Sequence, residues 1–296
     1  MPTRRQILKG LFATVLAGLF VSLYATIIEP LIRLNVTTWK LSPKTWRKGQ
    51  KLRIAIVTDI HMGEPFSGLK RLRRIVKRTN ALGADVIFLL GDHNASHRFI
   101  SKHVPINETA KELAKLHAPL GVHSVLGNHD WWDDAEAQRT GKGPIEAQRV
   151  FEAEGIPVLQ NKAIKLGGGK NAFWLLGLGD QMALRNRPLQ HRGVDDLPET
   201  LAQITDDDPA ILLAHEPDIF PEVPDRVALT LSGHTHGGQI RLFGWAPVVP
   251  SRFGNRFVYG HIQEQGRDLV VSGGLGCSIL PIRIGSVPEI TVVELS

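Results

Sequence analysis

Five apolar runs, rich in β-branched residues, each end abruptly in a short polar cluster. In chain order they are RIAIVTDIH, DVIFLLGDH, GVHSVLGNHD, AILLAHEPD and VALTLSGHTHGG. Runs of this length that end in polar turns are typical of buried β-strands followed by loops. Two segments with helical periodicity, GLKRLRRIVKRTNALG and NETAKELAKLH, separate the first three runs. This alternation predicts an α/β fold in which helices connect the strands of a sheet.

The polar clusters are expected to lie together in such a fold. In open α/β sheets the loops at the carboxyl ends of the strands converge, and ligands bind there. The clusters supply oxygen and imidazole donors and no thiolate: Asp59, His61, Asp92, Asn128, His129, Asp130, His215, His234 and His236. A single histidine after a strand is usually an ordinary loop residue, but five clusters after five strands indicate a shared site. Mixed nitrogen and oxygen ligands suit Mn, Fe or Zn ions and exclude a dedicated Ca²⁺ site.

Composition narrows the class of protein. With 296 residues, of which 43% are hydrophobic and 22% charged, the chain can bury the core of one sizeable globular domain. The single cysteine, Cys277, excludes an internal disulfide framework and a cysteine-based zinc cluster. The formal net charge of +6 favours anionic partners without choosing among them.

The N-terminal segment differs from the rest of the chain. An unbroken apolar run, Leu11 to Ile28, is long enough to cross a bilayer as a helix and lacks the polar stripe of a soluble core helix. Glu29 and Pro30 end the run without a small-residue cleavage site, which favours an uncleaved anchor. We therefore expect a signal anchor over residues 1–30, a tether over residues 31–50 and a globular domain over residues 51–296.

Two arginines precede the apolar run. The stretch from Thr3 to Lys9, which contains Arg4 and Arg5, resembles a twin-arginine export signal, but paired arginines also occur in ordinary anchors. Either interpretation places the protein at the cell membrane, with the export machinery as a partner only in the first. The N-terminal basic residues favour an extracytoplasmic domain, whereas the basic residues between positions 33 and 48 weaken that bias. Both sides of the membrane stay open at this stage.

The motifs resemble those of a known family, in their order and in their strand context. They are D-x-H at Asp59 to His61, G-D at Gly91-Asp92, G-N-H-D at Gly127 to Asp130, His215 at a strand end, and G-H-T-H at Gly233 to His236. Together they resemble the calcineurin-like metallophosphoesterases, and the stretches GHTHGGQI and GGLG are similar to a membrane-associated bacterial branch of that family. The resemblance implies a four-layer α/β/β/α sandwich of two mixed sheets over residues 51–296. It also implies a two-metal site between the loop ends of the sheets.

The resemblance assigns metal-binding roles to seven residues. It implies that one divalent ion is held by Asp59, His61 and His236, that the other is held by Asn128, His215 and His234, and that Asp92 bridges both. Two ions about 3.5–4 Å apart would activate a bridging hydroxide for attack on a phosphate ester. The implied activity is that of a binuclear metal-dependent phosphoester hydrolase, which requires no nucleophilic side chain.

His129 is the histidine of these motifs to which no metal is assigned. It directly follows Asn128, so we expect its side chain beside the metal pair, where it can protonate the leaving group or bind the phosphoryl oxygens. Asp130 is a candidate to polarise it. Two further polar residues stay open: His93 is either a rim residue that faces substrate or, as we favour, a solvated loop residue. Asp180 either shapes the pocket or serves a turn or capping role.

The substrate is the part of the function that the sequence constrains least. Arg241, Arg252 and Arg256 follow the last motif and are candidates to meet an anionic substrate. With the anchor, they favour a phosphodiester or lipid-linked phosphoester at the membrane surface, with membrane lipids as partners. Nucleic acid is not expected, because no aromatic residues alternate with the basic ones. The alternatives are a UDP-diacylglucosamine pyrophosphatase on the cytoplasmic face and a metal-bearing scaffold without catalysis.

Overall fold

Two large sheets organise the chain, whose computed structural model describes residues 2–95, 97–187 and 190–296. The first sheet has the strand order β1 (Asn35–Leu41), β15 (Glu289–Leu295), β2 (Leu52–Val57), β4 (Val86–Leu90), β6 (Val122–Val125). The second has the order β13 (Gly260–Glu264), β14 (Arg267–Val271), β12 (Val227–Ser232), β11 (Ala210–Leu213), β8 (Phe173–Gly177), β7 (Lys162–Leu166). Two short ribbons pair β3 (Gly63–Glu64) with β5 (Lys102–His103) and β9 (Leu184–Arg187) with β10 (Gln190–Arg192). The five predicted strands are therefore confirmed as β2, β4, β6, β11 and β12.

Both sheets are mixed. Strands β2, β4 and β6 run parallel to one another, while β15 runs antiparallel to β2 and parallel to β1. In the second sheet β8, β11, β12 and β14 are parallel, and the edge strands β7 and β13 are antiparallel to their neighbours. Within each sheet, the carboxyl ends of the predicted strands therefore lie at the same edge, because parallel strands present the same end to the same side.

The helices complete a four-layer α/β/β/α sandwich, as expected. They are α1 (Arg4–Leu23), α2 (Leu69–Asn80), α3 (Ile106–Leu113), α4 (Asn128–Trp132), α5 (Ala135–Thr140), α6 (Glu146–Ala153) and α7 (Leu197–Ala202). The two sheets pack face to face through side chains such as Ile56, Phe88 and Leu213. A second cluster joins the outer face of the first sheet to α2, α3 and α6. A third joins the outer face of the second sheet to α7.

The segment predicted as a tether differs from that expectation. Residues 35–41 form the edge strand β1, which pairs in register with the C-terminal strand β15. Beyond β1, the indole of Trp46 is buried and donates to the carbonyl of Gln50 at 2.7 Å. Regular structure therefore begins before Lys51. The edge strand is only partly buried, so it lacks the strong apolar pattern that identified the central strands.

The N-terminal helix is the described helix that is long and apolar enough to cross a membrane. The helix spans Arg4–Ile32, and 6% of its most apolar 18-residue stretch is buried inside the molecule. Its last part, Tyr24–Ile32, is π-helical and continues through Pro30. There Ala25, Glu29 and Pro30 are buried against the domain. The helix is therefore a candidate anchor whose C-terminal end is packed onto the sandwich.

Candidate metal centre

The loops after strands β2, β4, β11 and β12 bring six acidic and imidazole side chains into one cluster. Two overlapping groups each place their potential ligand atoms within 4.8 Å of one another: Asp59, His61, Asp92 and His236, and Asp92, His215 and His234. Every member is buried. This division matches the two metal sites that the resemblance implies, with Asn128 as the remaining expected ligand.

Asp92 lies where the two groups meet. One of its carboxylate oxygens, Oδ2, is 3.4 Å from Nε2 of His61 and 3.3 Å from Nε2 of His215. The other, Oδ1, accepts a hydrogen bond from the backbone N–H of His129 at 2.9 Å. The carboxylate thus faces a histidine from each group, which is the position that a bridging ligand requires.

The backbone of the cluster is strained at most of its ligands. Left-handed φ angles occur at five of the seven expected ligands, namely Asp59 at 53°, His61 at 46°, Asp92 at 54°, His234 at 68° and His236 at 54°. Such conformations cost about 1–3 kcal/mol each in non-glycine residues and concentrate at functional sites. The tight turns point several side chains inward from short loops, and the buried packing around them holds the strain.

Two glycines are required by close packing around these loops. A Cβ on Gly127 would lie 2.4 Å from Asp92 Oδ1 and 2.7 Å from His215 Cε1. In the GGLG turn, a Cβ on Gly276 would lie 2.3 Å from the carbonyl oxygen of Ile60. The backbone N–H of Gly276 also donates to the carbonyl of Asp59. The GGLG turn therefore packs against the loop that carries Asp59 and holds its backbone in place.

Burial keeps most of the imidazoles neutral. It lowers the pKa of His61 to about 3, against the attraction of Asp92. Burial also lowers the pKa of His234. The pKa of His236 lies well below its ordinary value, because burial, His61 and Arg283 all lower it. His215 differs, because the facing Asp92 outweighs burial and raises its pKa well above the ordinary value. Neutral imidazoles present the lone pair that a metal ion needs.

The donor set fits divalent metal ions. His61 Nδ1 and Asn128 Oδ1 are buried and find no hydrogen-bond partner among the described residues. Nε2 of His61 faces Nε2 of His236 at 3.0 Å. Nδ1 of His215 lies 2.5 Å from the carbonyl oxygen of Leu90, so Nε2 faces the cluster. Metal-binding histidines are commonly oriented in this way by a hydrogen bond from the ring nitrogen that does not bind the metal. The residues can therefore hold metal ions, and nothing in the set selects among Mn, Fe and Zn.

His129 stands at the opening of the cluster. It is half-buried, and its ring meets the ring of His61 edge-on at 4.8 Å between centroids. On its other side lies Trp132, at 5.0 Å between centroids. His129 lines a cavity of about 530 Å³ together with Asp92, Asn128 and His234. The side chain is thus placed between the ligands and the space that a substrate would occupy.

The expectation for His93 is wrong, whereas the polarising role of Asp130 toward His129 stays a prediction. His93 is 1% exposed, lies with its ring centroid 4.4 Å from that of Phe151 and pairs through Nδ1 with Asp130 Oδ2 at 3.0 Å. It is neither solvated nor at the substrate rim. Asp130 accepts hydrogen bonds from the backbone N–H groups of Asp92, His93 and Gly127. A buried carboxylate satisfied in this way fixes the Asp92 loop, so His93 and Asp130 are positioning residues.

Asp180 takes the turn role that was one of its two alternatives. Its Oδ1 accepts from the backbone N–H of Met182 at 2.8 Å. It is also buried beside His215 and Glu216, with ligand atoms of the three within 4.8 Å of one another. Burial and the neighbouring Glu216 raise the pKa of Asp180 well above its ordinary value. Sequence reasoning missed Glu216, although the E in AILLAHEPD directly follows a predicted ligand.

The arginines expected to meet the substrate lie elsewhere. Arg252 pairs with Asp218 and Glu222, Arg256 pairs with Glu264, and Arg241 stacks on Tyr259. The cavity is instead lined by Arg98 and Arg185. Arg185 lies over the ring of Trp132 at 4.1 Å. Proximity in sequence to the last motif was a poor guide, because the side chains of these three arginines are held by Asp218, Glu222, Glu264 and Tyr259 and do not line the cavity, although Pro250 of the same segment does.

Sequence reasoning also missed Arg283. Its side chain is fully buried and donates to the carbonyls of Gly273, Gly276 and Ser286. Nη2 also donates to Nδ1 of His236 at 3.2 Å. The arginine thereby ties three chain segments to the last expected ligand. No local pattern around RIG at position 283 signals this role.

Comparisons with known proteins agree with this geometry. The calcineurin-like phosphoesterase family profile matches residues 52–238. Metallophosphoesterase YkuE of Bacillus subtilis (strain 168) is 30% identical over 301 residues, which cover 99% of this chain and 97% of the relative. A transmembrane protein with a metallophosphoesterase domain from Danio rerio is 32% identical, and the match covers 82% of this chain and 53% of that protein. The chain thus spans about half the length of the zebrafish relative.

A third relative is named by its activity. UDP-2,3-diacylglucosamine pyrophosphatase LpxG of Chlamydia muridarum (strain MoPn / Nigg) is 26% identical, with 96% of each chain covered. The family match spans the first four motifs and reaches the G-H-T-H motif, which are the segments that form the cluster. The chain therefore belongs to the calcineurin-like phosphoesterase family and is a metal-dependent phosphoester hydrolase.

Proposed function

We propose that the protein is a binuclear phosphodiesterase that acts at the membrane surface. The observation that carries the proposal is the position of Asp92, whose carboxylate faces one histidine of each ligand group. Asp59, His61 and His236 would hold one ion, and Asn128, His215 and His234 the other. Two divalent ions, when bound, lower the pKa of bound water and offset the charge of phosphoryl oxygens. The remaining chemistry belongs to side chains of this chain.

His129 is the proposed catalytic acid. It lines the cavity beside the ligands, so its imidazole can reach the leaving oxygen of an ester held at the cluster. An imidazolium there donates its proton to the departing alkoxide, a contribution typically worth 10²–10⁴-fold in rate. Arg185, which lies over the ring of Trp132 and lines the same cavity, supplies positive charge for an anionic substrate. The cavity thus provides an acid and a cation in addition to the metal ligands.

An apolar cavity supports a lipid-linked substrate. A space of about 300 Å³ lined by Ile240, Pro247, Val248 and other residues adjoins the metal cavity. The two share Pro250 and the segment Ser278 to Leu280 as a common wall. A phosphoester with a hydrocarbon chain would place its phosphate at the cluster and its chain in the apolar space, where burial of each CH₂ contributes about 0.8 kcal/mol.

The proposed location is the cell membrane, with α1 as a single-pass anchor and the domain outside the cytoplasm. Arg4 and Arg5 before the apolar run support export through the twin-arginine route, which carries folded proteins. Loading of metal ions in the cytoplasm is compatible with that route.

A pyrophosphatase acting on a UDP-linked acylated sugar is the second candidate, and the similarity to LpxG favours it. That activity requires the domain on the cytoplasmic face, where UDP-sugars occur. Protease added to intact spheroplasts separates the two candidates: digestion of the domain contradicts the pyrophosphatase, and protection contradicts export. A scaffold without catalysis is disfavoured by the complete ligand set, including Asn128 and Asp92.

The proposal is tested with Asp92→Asn, assayed against the matched surface variant Asp207→Asn. Loss of the shared carboxylate is expected to lower bound metal below two equivalents and to reduce phosphodiesterase activity by about 10³-fold or more, since two-metal charge stabilisation is worth several kcal/mol. Asp207 is exposed, so its variant should keep wild-type metal content and rate. Elemental analysis and hydrolysis of a bis-nitrophenyl ester measure both quantities. Full metal occupancy in Asp92→Asn would refute the bridging role.

A further inference from the structure

Several large apolar side chains project from the loops beside the cavity. They are Leu242, Phe243, Trp245, Val248, Ile279 and Leu280, here called the apolar rim, and all are exposed. Val248 is 72% exposed and Ile279 is 75% exposed. Phe243 stands fully exposed at the tip of a tight turn, with a left-handed φ of 53°. Val248, Ile279 and Leu280 line one apolar space, and contiguous exposed apolar groups mark an interaction surface.

The tip is built rigidly. Backbone hydrogen bonds run both ways between Leu242 and Trp245, at 2.9 and 3.0 Å, and they close the turn that carries Phe243. A bulky residue in left-handed backbone costs free energy. The ring of Phe243 is left uncovered by the residues that the structure describes. The turn therefore presents an aromatic side chain outward.

The anchor fixes the level of this surface relative to a bilayer. The backbone N–H of Arg283 donates to the carbonyl of Ala25 at 2.9 Å, and that of Ser286 donates to Glu29 Oε1 at 2.8 Å. Ala25 lies inside the apolar run, three residues before its end at Ile28, so it is within one helical turn of that end. The segment from Arg283 to Ser286 is therefore held at the edge of the hydrocarbon layer when α1 spans it.

The rim is bonded directly to that segment. Ile284 donates to Gln239 at 2.9 Å and accepts from Arg241 at 2.7 Å through backbone groups. The side-chain amide of Gln239 donates to the carbonyl of Leu280 at 2.9 Å. Further along the anchor, Arg71 and Arg74 donate to the carbonyls of Leu31 and Ile32. The domain and the end of the anchor are thus joined by hydrogen bonds from two segments of the domain.

We propose that the apolar rim inserts into the interfacial layer of the leaflet that α1 leaves. Trp245 and Phe243 are of the residue types that favour the headgroup region, and Val248, Ile279 and Leu280 add apolar area beside them. Because Ile279 and Leu280 also line the metal cavity, insertion brings the opening of the cavity against the lipid surface. The inference rests on α1 as an anchor and is independent of the reaction proposed above.

The test uses the full chain in vesicles of phosphatidylcholine and phosphatidylglycerol. Phe243→Cys and Val248→Cys are labelled with an environment-sensitive fluorophore, and lipids that carry a spin label near the headgroup serve as quenchers. Lys51→Cys, exposed before β2 at the opposite end of the strand from the cluster, is the matched control, and Val15→Cys in α1 reports insertion of the anchor. Cys277 is buried, so the unsubstituted protein measures background labelling.

Insertion predicts loss of most of the fluorescence at positions 243, 248 and 15 and little loss at position 51. An unquenched probe at position 243 overturns the proposal, and the probe at position 15 then shows whether the anchor fails with it. Shielding that depends on protein concentration rather than on quencher lipid would mean that a second copy covers the rim, which also overturns it. Quenching requires no turnover, so failure of the proposed reaction leaves this result readable.

An activity measurement adds an independent readout. Phe243 does not line the cavity, so Phe243→Asp should hydrolyse a soluble nitrophenyl ester at the wild-type rate while losing activity toward a phosphodiester embedded in vesicles. An equal loss on both substrates would indicate a folding defect and contradict a specific role at the lipid surface. Unchanged rates on both would likewise contradict it.

Discussion

The ligand loops and the loops of the apolar rim leave the same edge of the sandwich but differ in nearly every physical property. The ligand loops are short, polar and buried, and they hold left-handed backbone at five expected ligands. The rim loops are longer and apolar, and their largest side chains face outward. Strain inside a buried cluster is held by packing on all sides. The exposed turn at Phe243 is closed by backbone hydrogen bonds, but none of the described residues packs over its ring.

The difference shows how the two regions depend on the rest of the chain. Each ligand loop is positioned by the strand that precedes it, so its chemistry follows from local sequence and from the convergence of strand ends. The rim gains its orientation from hydrogen bonds between residues 283–286 and the end of the anchor, more than 250 residues earlier in the chain. We therefore expect substitutions in the ligand loops to change the chemistry, and substitutions around the rim to change stability or substrate access.

The largest effect of the three substitutions that follow is expected at His129, within the ligand loops. His129→Ala should keep the metal ions and the fold but lower kcat by about 10²–10⁴-fold on an alkyl phosphodiester, which corresponds to roughly 2.7–5.5 kcal/mol. The loss should be smaller on a nitrophenyl ester, because that leaving group departs without a proton. Rates for both esters, measured on protein with verified metal content, test this expectation.

His117→Ala is the matched control, since His117 is exposed on a loop remote from the cluster, and it should behave as wild type. A rate within about threefold of wild type on the alkyl ester, far below the general-acid range, would remove His129 from the mechanism. An equal loss on both esters would make it a phosphate-binding residue instead of an acid.

The part of the site that the sequence predicts is the part set by local chemistry. Asp59, His61, Asp92, His215, His234 and His236 all follow apolar strands, and all six lie in the cluster. The role of Arg283 depends on segments distant in sequence, so no local pattern identifies it. Glu216 directly follows the predicted ligand His215, but its neighbour Asp180 is distant in sequence. The left-handed backbone of Asp92 is equally hidden, because it arises from packing against Gly127 and Asp130.

The fold shows the same limit. Central strands such as β4 are apolar throughout and are recognised from sequence alone. Strand β1 has a mixed burial pattern, and its partner β15 lies at the other end of the chain. Lysines and a proline near β1 favoured a tether, and the pairing that stabilises the strand is a long-range contact that a local pattern cannot report.

An intermediate effect is expected at Arg283, which joins the ligand loops to the rim segment. Arg283→Leu removes the donors to several buried carbonyls, and each unsatisfied group costs about 1–3 kcal/mol. We expect the free energy of unfolding to fall by about 3 kcal/mol, or roughly 6–12 °C in Tm for a domain of this size. Arg139→Leu is the control, because Arg139 is 72% exposed and pairs only with Glu136 among the contacts found for it. The Tm of each variant is measured by thermal unfolding. Equal Tm values for the two variants would contradict the role of Arg283 in joining the ligand loops to the rim segment.

The smallest effect is expected where sequence and structure disagree about substrate recognition. Arg185 lines the metal cavity and is held over Trp132, so Arg185→Ala should raise KM for an anionic phosphodiester by about five- to tenfold, or roughly 1–1.4 kcal/mol. Arg252, two residues after the cavity residue Pro250, is paired with Asp218 and Glu222 on the outer surface.

Arg252→Ala removes the same charge from the molecule, and it should change KM by less than about twofold because the charge is already paired and screened by solvent. Both variants remove one positive charge. The difference between their KM values at one ionic strength therefore reports the position of the arginine and not the net charge of the protein. A larger increase in KM for Arg252→Ala than for Arg185→Ala would restore the sequence-based assignment and place substrate recognition on the outer loops. The expected order instead confines recognition to the side chains that line the cavity, with the rim contributing contact to lipid.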